Sequence, residues 1–192
     1  QAQDRNRHID RIKASVNHLN NILTDFLSIT HLEEGHLIPV ISSFSIHSLL
    51  QDLRSEADGL LKKGQRLDFN STVDDVVLKS DKNILRNILY NLVSNAIKYS
   101  AEGKSISCTT KVTDGNLIID IRDEGFGIPP EDQKHIGTRF FRASNAVNVP
   151  GTGLGLNIVM SYLHTLHGEL SFVSEQGIGT TFTITLPLVY EK

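Results

Sequence analysis

The 192 residues carry a formal net charge of -3, with 19 Lys and Arg against 22 Asp and Glu, and are 39% hydrophobic and 21% charged. That balance describes a folded globular chain with room for one ordinary domain and an extra element, and excludes a disordered or collagen-like one. With no basic excess and no Lys/Arg cluster interleaved with aromatics, nucleic acid is disfavoured as a partner.

In chain order, the first pattern is a stripe of apolar residues, Ile9, Ile12, Val16, Leu19, Leu23 and Phe26, spaced alternately by three and four. The spacing predicts a long amphipathic helix that ends at Glu33-Glu34-Gly35, and its sustained period favours a coiled-coil or bundle helix over one lying on its own domain. A boundary follows, dividing residues 1–35 from a larger domain over residues 36–192. Residues 37–44 are short and apolar. Ser45 opens a second helical pattern through Leu49, Leu50, Leu53, Ala57, Leu60 and Leu61, which Gly64 stops. Residues 66–71 and 76–79 read as strands. Ser80 or Asp81 caps a third helix carrying Ile84, Leu85, Ile88, Leu89, Leu92, Val93 and Ala96.

Residues 104–112 and 117–122 alternate around Thr113-Asp114-Gly115-Asn116, the turn chemistry of a hairpin. The one cysteine, Cys108, falls in the first of these strands and has no partner for an internal disulfide, so a reducing, cytoplasmic setting is expected. Residues 128–150 have little periodicity and read as a long functional loop or a short helix set in one. Residues 154–166 are helical, and 169–174 with 179–186 form a second hairpin across Glu175-Gln176-Gly177. No apolar run approaches the ~18–20 residues that cross a bilayer, so no direct membrane contact is expected of this segment. Beginning with Gln1 and passing straight into a helical pattern, it is expected to be a piece whose upstream part is able to span a membrane. The element order suggests an α+β fold, a two-layer α/β sandwich with helices covering one face of a mixed sheet, preceded by a separate helix.

Three segments carry the chemistry. Asn91 and Asn95 lie four residues apart, so on a helix their amide oxygens share a face. One such carbonyl suits a Mg²⁺ shell otherwise filled by water and phosphate, and Lys98 lies one turn on, able to meet a phosphate as a point charge. The same amides would serve equally to cap or bridge a neighbouring strand. In Asp123-Glu124-Gly125-Phe126-Gly127-Ile128 a carboxylate ends a strand and two glycines let backbone approach a flat ligand, although a plain turn would look much the same. Gly151-Thr152-Gly153-Leu154-Gly155-Leu156 frees backbone N–H groups at the start of a helix, where phosphate binds. Its spacing is neither the dinucleotide fingerprint nor a P-loop, and a flexible hinge is the alternative.

In this order the three segments resemble the N box and the two glycine boxes of sensor histidine kinases, within the wider group of ATPases and kinases that includes gyrase and mismatch-repair proteins. Thr138-Arg139-Phe140-Phe141-Arg142 is similar to that family's F box. Leu32-Glu33-Glu34-Gly35 resembles the end of the second helix of its dimerisation and phosphoacceptor hairpin. The resemblance implies a Bergerat-type ATP-binding fold with three helices on one face of a mixed sheet. It implies ATP and Mg²⁺ as cofactors, with Asn95 as the metal ligand, Asn91 beside it at the phosphates and Lys98 on a phosphate. Tyr99 would lie against the adenine, Asp123 would bind its amino group, and Gly125 and Gly127 would shape that pocket together with Ile128. Gly151, Gly153 and Gly155 would close over the triphosphate, with Thr152, Leu154 and Leu156 of the same run in the site. Residues 128–150 become a mobile lid with Phe140 and Phe141 as anchors and Arg142 as a phosphate contact.

The activity implied is transfer of the γ-phosphoryl group to a histidine on a dimerisation helix, for relay to an aspartate of a response-regulator receiver domain, with the full-length protein a homodimer. Where related ATPases usually carry a water-activating Glu this chain has Asn91, and an amide is no general base, so slow hydrolysis is expected. The acceptor motif itself is absent. His8 is its nearest imitation and reads as a solvated helix position, so no autophosphorylation is expected of this chain alone. His164 and His167 have ligand-like spacing but no third ligand, and read as packed or surface residues. An anti-sigma-type serine kinase, which shares the nucleotide boxes, and a nucleotide-binding scaffold without transfer are the alternatives.

Overall fold

The computed structural model describes residues 37–71 and 76–190, together with Leu23. The chain divides into two compact units, residues 1–37 and 38–192. The helix expected over residues 9–26, its Glu33-Glu34-Gly35 end and His8 lie outside the described residues. The second unit begins with β1 (Ser42–Ser45) and α1 (Ile46–Ala57), which a single 3-10 turn, Asp58–Leu60, extends. After β2 (Arg66–Ser71) and β3 (Val77–Ser80) come the long α2 (Lys82–Tyr99), β4 (Ser105–Thr113) and β5 (Asn116–Asp123). One helical turn, α3 (Pro130–Gln133), and a 3-10 turn, Ser144–Ala146, interrupt the loop that leads to α4 (Gly155–Thr165), β6 (Glu169–Glu175) and β7 (Gly179–Pro187).

Local chemistry sets the helix starts. The Ser45 hydroxyl accepts from Ser48 N at 3.1 Å, and Asp81 Oδ1 accepts from Asn83 N and Ile84 N at 2.9 and 3.0 Å. Each satisfies donors that the first helical turn leaves without partners. The other Asp81 oxygen accepts from Val40 N at 2.7 Å, tying the segment before β1 to the start of α2. The helical pattern expected through Leu61 stops earlier, at Ala57, because Asp58-Gly59 has poor helix propensity and the chain tightens into the 3-10 turn.

Five strands form one mixed sheet in the order β2-β4-β5-β7-β6, with β2 parallel to β4 and the remaining pairs antiparallel. A two-stranded ribbon of β1 and β3 stands apart from it, and Lys79 of β3 also bonds Leu188 and Tyr190 near the end of the described chain. Period-two alternation buries Ile106 and Cys108 of β4, Leu117, Ile119 and Ile121 of β5, and Phe182, Ile184 and Leu186 of β7 on one face. α2 covers β4 and β5 there, with α1 reaching β2 at one edge and α4 reaching β6 at the other. This is the two-layer sandwich that the element order predicts. Register carries the same alternation one step further, to Asp123, which pairs with Ile106 and Thr180 and is itself buried at the end of the central strand.

Two turns show how backbone handedness was met. Asp114 and Gly115 both have positive φ, 52° and 76°, the two-residue hairpin turn whose twist matches its strands. At the end of α4, His167 takes the left-handed position at φ 57°, Gly168 N reaches Leu163 O at 2.8 Å and His167 N reaches His164 O at 3.2 Å. That is a Schellman closure with histidine where glycine is usual. The His167 ring stacks on Tyr190 at 5.0 Å between centroids.

The Cys108 thiol is pushed up to about 12, first by burial and then by the charge of Asp120. It should resist thiol reagents until the chain unfolds, at a rate that tracks global opening. Leu89→Ala, at a fully buried position of α2, is expected to remove about 2–5 kcal/mol from the unfolding free energy in a urea titration.

Candidate functional site

α2 has two working faces. Leu85, Ile88, Leu89, Leu92, Val93 and Ala96 are buried, while Asn91, Asn95 and Lys98, at spacings of four and three, share another face. Asn91 Nδ2 donates back to Asn87 O at 3.1 Å, so its Oδ1 points away from the helix backbone. Facing it is the last glycine of the second run: a Cβ on Gly155 would stand 3.1 Å from Asn91 Oδ1 and 4.0 Å from Asn95 Nδ2. One turn along, Lys98 Nζ lies 4.5 Å from the centre of the Tyr99 ring, and a Cβ on Gly151 would meet that Nζ at 3.0 Å. The amide-bearing face of α2 and the second glycine run therefore lie directly against one another.

The aspartate turn packs against the end of α2. Asp123 Oδ1 accepts from Gly125 N at 2.8 Å and from Thr180 N at 3.3 Å, which leaves Oδ2 without a donor among the described residues. Phe126 N donates to Tyr99 O at 3.4 Å, and the Tyr99 and Phe126 rings meet edge to face at 5.7 Å. A Cβ on Gly125 would strike Tyr99 O at 2.6 Å. Gly127, at φ 62°, is pressed against the β6–β7 turn, where a Cβ would fall 2.0 Å from Glu175 O, and Gly177 N donates to Phe126 O at 2.9 Å. Ile128 N donates to Ser174 Oγ at 2.9 Å.

The second glycine run ends in the amino terminus of α4, which has no side-chain cap and carries the positive end of the helix dipole. Thr152 Oγ1 accepts from Leu154 N at 3.2 Å, shaping the run from within. Leu154 is buried and Leu156 half-buried.

Residues 128–150 are held by side chains that no periodicity marks. Asp132 Oδ2 accepts from Ser144 N and Ser144 Oγ, both at 2.7 Å, and those bonds hold its carboxyl below the usual range. Asn145 Nδ2 donates to Gly127 O at 2.9 Å, fastening this loop to the aspartate turn. Arg142 Nη2 donates to Ala146 O at 2.6 Å and Val147 O at 3.0 Å, and also to Val149 O, all carbonyls of the loop itself. Phe140 is 70% exposed at φ 61°, and it attaches to the second glycine run through backbone, Phe140 N to Gly153 O at 3.1 Å. Phe141, by contrast, packs its ring on His135 at 5.3 Å.

Burial raises the Asp123 carboxyl from its ordinary 3.8 to about 6, against the lowering effect of its bonds from Gly125 and Thr180. A buried acceptor with one oxygen unclaimed and ionised at neutral pH suits a ligand that brings its own donor. Residues 80–190, which span the amide pair, the aspartate turn and both glycine runs, match the family described as histidine kinase-, DNA gyrase B-, and HSP90-like ATPase. The chain belongs to this family.

Among its relatives, the heme sensor protein HssS of Staphylococcus haemolyticus is 31% identical over 96% of this chain and 40% of its own length. The sensor-like histidine kinase SenX3 of Mycobacterium tuberculosis is 28% identical over 96% of this chain and 46% of its own. The chain thus spans less than half the length of these relatives. The fold superposes on that of full-length ShkA, solved in complex with AMPPNP, with a TM-score of 0.83 over 96% of this chain and 39% of that one, at 23% identity. Within the family, the ATP-binding domain here is of the sensor histidine kinase type.

Two variants probe the geometry of this domain. Because the folded-state value of Asp123 lies above that of an unfolded aspartate, the folded chain binds more protons between pH 3.8 and about 6. Its contribution to stability is therefore complete below pH 3.8 and lost as pH rises through about 6. Asp123→Asn keeps an acceptor for Gly125 N and Thr180 N, so at pH 8 it should be more stable than the parent by on the order of 1–3 kcal/mol, the gain fading at acid pH. Urea titrations across that range check this, and a loss of stability at pH 8 would contradict it. Gly127→Ala should cost more than about 2 kcal/mol in the same assay, since a side chain there meets backbone in a left-handed conformation.

Proposed function

We propose that residues 36–192 are the catalytic ATP-binding domain of a sensor histidine kinase and residues 1–35 the second helix of its dimerisation and phosphoacceptor domain. The domain passes the γ-phosphoryl group of ATP to a histidine on a dimerisation helix outside this chain, ADP being the leaving group. A response-regulator aspartate then receives the group. The observation that carries this reading is the juxtaposition of Gly155 with Asn91 and Asn95, and of Gly151 with Lys98, on a helix whose end is bonded to the Asp123 turn through Phe126 N and Tyr99 O. The AMPPNP bound by ShkA, whose fold this chain shares, supports a nucleoside triphosphate there.

In this reading the Asp123 Oδ2 accepts from the adenine amino group and Tyr99 lies beside the ring, while Gly125, Gly127 and Ile128 shape the pocket around it. The free N–H groups at the start of α4 and the run from Gly151 through Thr152, Gly153 and Leu154 to Gly155 and Leu156 wrap the triphosphate. Lys98 neutralises one phosphate. For magnesium, the donor chemistry fits: an amide oxygen on Asn95 is the hard ligand that Mg²⁺ accepts alongside water and phosphate, and the Asn95 side-chain amide lies next to Gly155 of the second glycine run. When bound, the ion neutralises charge on the phosphates.

Asn91 sets the kind of reaction. Its amide has no basicity with which to activate water, so ATP persists until an acceptor histidine is brought in line, and positioning supplies most of the acceleration. No helix among the described residues is long and apolar enough to cross a membrane. The partners of this reading are ATP, the acceptor helix, a receiver domain and a second copy in the full-length homodimer.

Isothermal titration of the chain with AMPPNP in the presence and absence of Mg²⁺ tests the site. Saturable, Mg²⁺-dependent binding is expected for the parent, and Asn95→Ala should abolish the Mg²⁺ dependence without altering the unfolding free energy by more than about 0.5 kcal/mol. Labelled ATP should mark a separately supplied phosphoacceptor hairpin of the same kinase but not this chain alone. An unlabelled hairpin, with binding intact, would leave a nucleotide-binding scaffold as the better account.

A further inference from the structure

We propose that Lys62 and Gln65, in the loop between α1 and β2, are positioning residues for the nucleotide site, acting through the carbonyls that end α2. The inference rests on the ATP reading given above and adds two residues that lie outside the 80–190 family match.

The last carbonyls of an α-helix have no partner within it, and the helix frays from that end unless something outside accepts the task. The end of α2 is where the site needs rigidity, because Lys98 and Tyr99 sit there. Lys62 Nζ donates to Lys98 O and to Ser100 O, both at 2.7 Å. Gln65 Nε2 reaches Ile97 O, Ser100 O and Ala101 O, each at 3.1 Å, and Gln65 is only 7% exposed. The two side chains are themselves linked: Lys62 N donates to Gln65 Oε1 at 2.9 Å, and Gln65 N to Lys62 O at 3.0 Å.

Tyr99 O, the carbonyl in this series that the loop does not hold, accepts instead from Phe126 N of the aspartate turn. Four successive residues, 97 to 100, thus have their carbonyls fixed from outside the helix, three by the clamp and one by the adenine-side turn. The ammonium group of Lys62 adds a positive charge at the negative end of the helix dipole, which favours the wound state of the last turn. Without it, Ser100 offers no substitute, for its own Oγ is buried with no partner. Unwinding would carry Lys98 away from Gly151, release Tyr99 O from Phe126 N and so disturb the phosphate and adenine ends together.

The test uses the full 192-residue chain with Mg²⁺ and AMPPNP, titrated at a temperature well below the unfolding midpoint of every variant, where loss of stability alone leaves affinity unchanged. Lys62→Met and Gln65→Leu should each weaken binding about tenfold, while Lys62→Arg, which keeps charge and two donors, stays within about threefold of the parent. Amide hydrogen exchange at Phe126, read without nucleotide, should quicken at least about tenfold in Lys62→Met. If Lys62→Met does not fold, Lys62→Gln, a neutral donor, carries the same comparison. Affinity within twofold of the parent, with Phe126 exchange unchanged, would reduce the clamp to ordinary structure and overturn the proposal. A parent chain that binds no nucleotide would instead sink the ATP reading, and the exchange measurement would still decide whether the clamp holds the aspartate turn.

Discussion

One helix has to satisfy two surfaces at once. α2 buries Leu85, Leu89 and Leu92 against the sheet, and because its period is 3.6 residues the same eighteen-residue segment turns Asn91, Asn95 and Lys98 toward the second glycine run. Fixing the helix in the core therefore fixes the amide pair. Rotation of α2 by even part of a turn would expose leucine and withdraw the amides together, so packing energy and site geometry are one constraint. The burial of eight hydrophobic residues along its length is what makes the angle non-negotiable.

The rest of the site is built around that helix by close backbone approach. At Gly125, Gly127 and Gly153 an added Cβ would come within 3.0 Å of backbone atoms of Tyr99, Glu175 and Phe140 in turn. Glycine is used there for contact as well as for turning, and it lets the aspartate turn, the β6–β7 hairpin and the 128–150 loop lie against one another. Asp123 sits where these meet. Its burial, which a hydrophobic residue would tolerate more easily, raises the carboxyl toward about 6, a stability cost at a position where one carboxylate oxygen has no donor among the described residues.

Much of this was legible in the residues. α2, both hairpins and α4 have clean periods and strong punctuation, and the helix and strand bounds moved by only a residue or two except at the end of α1. The three chemical segments were recognisable by order and spacing, and the family match spans all of them. What stayed hidden were contacts between segments distant in sequence: Asn145 on Gly127 O, Asp132 on Ser144, and the Lys62–Gln65 grip on the end of α2. A lone lysine or glutamine in a loop carries no periodic signal, and its partners are backbone carbonyls, which every residue has. Arg142 is a similar case, for the bonds its Nη2 makes to carbonyls of its own loop carry no sequence signal. His167 shows that a left-handed closure need not be marked by glycine.

In the proposed mechanism a single Mg²⁺-nucleotide complex engages the amide pair, the aspartate turn and the second glycine run simultaneously. Backbone NMR of the isotope-labelled chain during a titration with Mg²⁺ and AMPPNP reads all three segments at once. Amides of residues 91–99, 123–128 and 151–156 should shift together along one saturating curve with a common dissociation constant. Perturbation confined to one of the three segments, or separate curves with different affinities, would rule out a shared nucleotide site.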